Sequence, residues 1–161
     1  MTRKDNLIYI ASFFDCEGSV QIRLRKTPKG YKPCHIRMSF SNNNKKVLES
    51  FIPFLGYGHI TERRRKKLRK SGSPFKKNPY SLIVVGAKAK SLLVELLPYL
   101  RVKRDHAKLC IKYPLIKRGG RLSKKVIRKK LEIRKRLHFL NKRDNERDIS
   151  SWIDLDKKGG N

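Results

Sequence analysis

The sequence predicts an α+β fold: a four-stranded antiparallel sheet with helices on one face and a polar, strongly basic face on the other. Three observations lead there. Apolar and polar residues alternate strictly in consecutive stretches separated by turn residues, the pattern of hairpins with one wet face. A segment of helical periodicity precedes each strand pair and another follows the second, giving the order αββαββα. The chain is also 38% hydrophobic while carrying 42 Lys and Arg against 13 Asp and Glu in 161 residues. Its formal net charge of +29 therefore decorates a protein with a real core.

The elements follow in chain order. Residues 5–15, DNLIYIASFFD, put Leu7, Ile10, Ala11 and Phe14 on one helical face, with Asp5 or Asn6 as N-cap and Gly18 as terminator. SVQIRLRK (19–26) alternates Val20, Ile22 and Leu24 inward with Gln21, Arg23 and Arg25 outward. HIRMSFS (35–41) repeats this, with Ile36, Met38 and Phe40 inside and His35, Arg37, Ser39 and Ser41 outside. The turn-rich TPKGYKP, with Lys29, joins the two. NNNKKVLESFIPFLG (42–56) predicts one helix, capped by Asn42 or Asn43 and closed by Gly56. YGHITERRRKKL and PYSLIVVG form a second strand pair around the polar loop RKSGSPFKKN. AKAKSLLVELLPYL is a third helix, broken around Pro98.

Beyond the core, taken as 1–104, residues 105–161 read as a helical extension packed upon it. Helices are expected over about 105–113 and, after the Gly-centred break in IKRGGR, over about 122–143, with a short one starting at Ser150 or Ser151.

So large a positive charge points to a polyanion, and nucleic acid is the usual one. No apolar run approaches the ~18 residues of a membrane span, and no signal peptide opens the chain. Membrane attachment is excluded as the main role. Cys16, Cys34 and Cys110 lack pair spacing and the four histidines do not cluster, which argues against a zinc module or disulfide scaffold and for a reducing, intracellular setting.

On the basic face, period-2 spacing lines up Gln21, Arg23, Arg25, Arg37 and Ser39. A two-stranded ribbon fits the major groove, where Arg and Gln pair bidentately with guanine and adenine. The cluster RRRKKLRK (63–70) has seven basic residues in eight, with Arg63 and Arg65 extending the reading face. The basic helix 122–143 reads as a phosphate anchor.

Against this background stand two acids, Asp15 and Glu17, in IYIASFFDCEGSV (8–20). A carboxylate at a phosphate-binding surface is repelled by its ligand unless a divalent cation lies between; Mg²⁺ bridges one or two carboxylates to phosphates. The plainer alternative is a helix–strand turn whose acids pair with neighbouring basic residues.

IASFFDCEG (10–18) resembles the LAGLIDADG motif, and LLPYLRVKRDHAKLCI (96–111) resembles the segment that closes the core in single-motif members of the LAGLIDADG homing endonucleases. The resemblance spans roughly residues 5–115. It implies a saddle-like DNA-binding sheet and a homodimer that binds a long pseudopalindromic double-stranded DNA target. The enzyme would hydrolyse one phosphodiester per strand with divalent metal and leave 3′ overhangs. Mg²⁺ is the implied cofactor, Mn²⁺ a plausible substitute, and Ca²⁺ would support binding without cleavage. Glu17 matches the acid that holds metal at the scissile phosphate, with Asp15, the first acid of the motif, as the second candidate metal ligand and supporting acid. Lys103 matches the pocket lysine and Asn44 a water-positioning residue; a second basic position is Leu48 here, which Lys45 or Lys46 would have to replace. Lys29, His35, Ser41, Thr61 and Tyr80 join the DNA-reading set. Ile10, Ala11 and Phe14 are expected at the helix–helix dimer contact, with Ser12 in place of the usual glycine. SWIDLDKKGGN (151–161) mimics the acid spacing at Asp154 and Asp156 without room for a second core. Such chains are typically intron-encoded, in a prokaryotic cytoplasm or an organelle. The alternative is a non-cleaving binding module, such as an intron RNA maturase with RNA as its partner.

Overall fold

A computed structural model describes residues 2–27, 30–62, 80–115 and 123–141. The chain runs α1 (Arg3–Glu17), β1 (Gly18–Thr27), β2 (Gly30–Asn42), α2 (Lys45–Glu49), α3 (Phe51–Leu55), β3 (His59–Glu62), β4 (Tyr80–Val85), α4 (Gly86–Leu96), α5 (Arg104–Ile111) and α6 (Lys124–Asn141). The four strands form one antiparallel sheet in the order β1-β2-β4-β3. The expected αββαββα core is therefore present. The short helix expected from Ser150 or Ser151, with Asp154 and Asp156, lies outside the described residues.

Three local features differ from the expectation, each for a visible reason. First, α1 starts earlier, because Thr2 and Asp5 form a reciprocal capping box that satisfies two free amides. Second, Gly18 ends α1 with φ −86°, outside the left-handed region. A Cβ there would lie 2.1 Å from Phe14 Cδ2 and 2.5 Å from the Phe14 carbonyl oxygen, so close approach requires the glycine. Third, the helix predicted over 42–56 is two, capped by Asn44 and meeting at Ser50. Pro53 has no N–H to donate to the Glu49 carbonyl, and its ring crowds that turn. Gly56, at φ 68°, closes α3 in the left-handed conformation as expected.

The core lies between the sheet and its helices. Val20, Ile22, Ile36, Met38, Phe40, Leu82 and Val84 are buried on one sheet face. Leu7, Ile10, Ala11 and Phe14 of α1 cover them, as do Leu92, Leu93 and Leu96 of α4. Phe13, Phe14, Phe40 and Phe51 stack edge-on or tilted with centroids 5.2–6.4 Å apart, locking α1 to β2 and α3. α6 lies against α5, β1 and β2 through Ile133 and Leu137, and Asn141 Nδ2 donates to the Val20 carbonyl at 3.1 Å. The last described helix thus braces the strand that leaves α1.

Candidate nucleic-acid interface

Strand pairing settles which residues share the sheet's second face. Ser19 opposes Ser39 and Gln21 opposes Arg37, while Thr61 opposes Ser81, which in turn opposes Ser41. Gln21, Arg23, His35, Arg37, Ser39, Ser41 and Thr61 all lie on this face, opposite the helix-backed one. Arg23 is exposed, and His35, Arg37, Gln21 and Thr61 are half-buried. Burial first, then the Arg23 and Arg37 guanidinium groups, hold the His35 imidazole below its ordinary value. Its two arginine neighbours and this desolvation mark a compact basic cluster. Lys29, Arg63 and Arg65 lie outside the described residues, and Arg25 is described by its backbone only.

Tyr80 is a correction. It pairs with Asn42 and Glu62 and shares its parity with Leu82 and Val84. Its ring packs against the hydrophobic core rather than on the reading face. Two hydroxyls were missed: Ser19 Oγ bonds Ser39 Oγ at 2.8 Å, and Ser81 Oγ bonds Ser41 Oγ at 3.0 Å. Extending the alternation back from Gln21 finds Ser19. Ser81 has no such signal, because SLIVV is apolar on both faces.

At one end of this face α1 delivers the two acids, with different environments. One Asp15 carboxylate oxygen accepts from the backbone amides of Arg101 (2.8 Å) and Val102 (3.2 Å), the other from that of Lys103 (2.8 Å). It thereby fastens the 101–103 segment at the entrance of α5, whose N-cap is Lys103. The Lys103 ammonium in turn donates to the Asp15 main-chain carbonyl and lies 5.8 Å over the Phe14 ring. Burial lowers the Lys103 ammonium below its usual value, opposed by the negative groups of Asp15, Cys16 and Glu17. Glu17 is exposed at the last residue of α1. Asp15, Glu17 and Lys103 are thus brought together, with Glu17 the acid that faces solvent.

Asn44 stands just beyond Asn42 at the same end of the sheet, since Gly18 pairs with Phe40 two residues earlier. Its side-chain oxygen caps α2 by accepting from the Lys46 amide at 3.1 Å. Leu48 is fully buried; Lys45 and Lys46 are both exposed, and Lys45 is paired with Glu49 at 2.7 Å.

Ile10, Ala11 and Phe14 require a further correction. They are 2%, 0% and 0% exposed inside the protomer's own core. The face of α1 turned outward instead carries Ile8 and Tyr9, 40% and 46% exposed, with Ser12 and Cys16. Ser12 Oγ bonds back to the Ile8 carbonyl at 3.0 Å, which masks its polarity.

No protein-family profile and no curated protein matches the chain. Solved structures do. The homing endonuclease I-CvuI, in complex with the I-CreI target, superposes at a TM-score of 0.70 and 20% identity, covering 97% of this chain and 95% of that one. The archaeal intron-encoded homing endonuclease I-Vdi141I, complexed with DNA, gives 0.65 and 19%, covering 98% of each chain. The chain has the LAGLIDADG homing-endonuclease fold. The LAGLIDADG meganuclease I-AabMI, bound to uncleaved DNA, matches at 0.56 and 14% over 80% of this chain but only 45% of its own length. Within the LAGLIDADG fold, the motif helix is α1 and the sheet is the four-stranded one described above. Among the described residues, no helix is long and apolar enough to cross a membrane.

Proposed function

We propose that this protein is a site-specific, metal-dependent DNA endonuclease that acts as a homodimer, cutting one phosphodiester in each strand of a pseudopalindromic target and leaving 3′ overhangs. One observation carries the reading: α1 presents an exposed carboxylate, Glu17, beside the Lys103 ammonium at the rim of a basic sheet face. A surface that only bound DNA would gain nothing from an acid there, since the acid repels phosphate.

The donor set fits a cation shared with the substrate. Among the described residues, no three His, Cys, Asp or Glu side chains converge, and Asp15 is engaged by three amides. Mg²⁺ is suited to such a site, because it takes one or two carboxylates and completes its shell with phosphate oxygens and water. Glu17 would hold it, together with its counterpart in a second copy, and Asp15 acts by holding the 101–103 segment. When bound, the cation supplies Lewis-acid stabilisation at the scissile phosphate. Lys103 would place positive charge beside that phosphate, and Asn44 and Lys46 would border an attacking water. I-CvuI structures obtained with Mg and with Ca support divalent-metal use; Mn²⁺ as a substitute is part of the proposal. The homodimer is supported by the match to under half of I-AabMI and by the apolar outward face of α1.

The test compares wild type with Glu17→Gln on duplexes carrying a selected site, in Mg²⁺ and in Ca²⁺. Wild type cuts both strands in Mg²⁺ and only binds in Ca²⁺. The variant binds but loses cutting by 10³-fold or more, as expected for a group acting on transition-state charge. Tight specific binding with no cutting by wild type in any divalent metal would instead establish a binding module of the maturase kind.

A further inference from the structure

The basic face changes character along its length. Next to α1 it is built of hydroxyls: Ser19 bonds Ser39 at 2.8 Å, Ser41 bonds Ser81 at 3.0 Å, and Thr61 Oγ1 donates to the Ser81 main-chain carbonyl at 3.4 Å. Ser39 and Ser81 are only 7% and 2% exposed, so little of either is reachable. Farther out, the β1–β2 register slips between Ile22/Ile36 and Leu24/Pro33. Two steps on β1 there oppose three on β2, which makes a bulge. Arg23 stands opposite it, and His35 lies within it beside both Arg23 and Arg37.

We propose that sequence discrimination is carried by the Arg23–His35–Arg37 cluster at this bulge, with guanine its preferred base, and that the hydroxyl stretch next to α1 tolerates base changes. The inference rests on the DNA-recognition reading above and adds where in the target specificity lies. A guanidinium presents two parallel N–H groups that match guanine O6 and N7, an acceptor pair no other base offers in the major groove. A hydroxyl donates or accepts equally well, and these already have partners, so they distinguish bases weakly. Arg23 and Arg37 both act on the His35 imidazole, so positive charge is concentrated there and attracts an electron-rich base edge or phosphate. The bulge adds local twist, which helps a ribbon follow the groove. Gly18 to Arg23 is five residues, about 17 Å of strand or roughly five base pairs from the Glu17 end.

The test selects duplexes bound by the full chain in Ca²⁺ from a randomised library and repeats the selection with Arg23→Ala, Arg37→Ala and Ser41→Ala. Melting curves confirm that each variant folds. The expected wild-type motif has guanine enriched tenfold or more at outer positions and less than threefold preference at inner ones. Either arginine variant flattens the outer preference tenfold, while Ser41→Ala changes no position more than twofold. An enriched motif that is strict at inner positions and loses that strictness in Ser41→Ala overturns the inference while leaving DNA recognition intact. Failure to enrich any sequence overturns the recognition reading itself, and this inference with it.

Discussion

Asp15 and Glu17 are two residues apart on α1, and that spacing divides their work. Residues i and i+2 of a helix point about 200° apart, so they do not face one target. Asp15 turns to the 101–103 amides and Glu17 to solvent. Removing the Asp15 carboxylate leaves three amides without their acceptor. Asp15→Ala is expected to lower stability by about 2 kcal/mol, the scale of a hydrogen-bond set to a charged group. Urea unfolding measures it, and Asp15→Asn, which keeps an acceptor, should lose less; an unchanged midpoint in Asp15→Ala would contradict the anchoring role. His35 makes a second residue-scale prediction. Its imidazole is held below 6.5 by burial and by Arg23 and Arg37. Between the folded midpoint and 6.5 the unfolded chain takes up a proton that the folded chain refuses. The His35 contribution to stability therefore falls as pH drops through that window and is level below it. The ring-proton NMR titration should have its midpoint below 6.5 and move upward when duplex DNA supplies negative charge; a midpoint at or above 6.5 in the free protein would refute this.

At the scale of elements, α1 is apolar on both sides, and only burial tells the two apart. One side is core; the other leaves Ile8 and Tyr9 in solvent. α6 shows the converse, a helix dense in Lys and Arg whose narrow apolar stripe, Ile133 and Leu137, still docks on the core. Because α6 packs on β1 and β2, its loss would uncover the back of the reading ribbon. Leu137 is 1% exposed, and Leu137→Ala should cost about 2–4 kcal/mol in chemical denaturation, the range for a buried leucine cavity. A cost under 0.5 kcal/mol would mean that α6 is not docked in solution.

At the scale of the molecule, one protomer has one exposed Glu17, and a cleft that cuts both strands needs two. In the proposed homodimer, the outward face of α1 is where a second copy would bring its own, in an isologous contact of like patches. Ile8→Glu places a charge in that contact without touching the core, since Ile8 is 40% exposed. Sedimentation should show wild type as a dimer and the variant as a monomer with an unchanged melting temperature and lost double-strand cutting. A wild type that sediments as a monomer and still cuts both strands would rule the dimer out.

The sequence by itself determined the order of the core elements and the faces of β1 and β2, though not the break that splits 42–56 into two helices. Periodicity is a local property, and alternation survives any tertiary arrangement that keeps one face dry. It also singled out Glu17 and Lys103, whose motif neighbours are contiguous in sequence and whose roles are the proposal above. Only the tertiary structure decided which side of α1 remains open, that Asp15 serves the 101–103 segment, and that Tyr80 belongs to the core side. Each of these depends on what packs against the residue from a distant part of the chain: 86 residues separate Asp15 from Arg101. The hydroxyl pairs and the bulge at His35 are likewise products of strand register, which is set between segments and not within them.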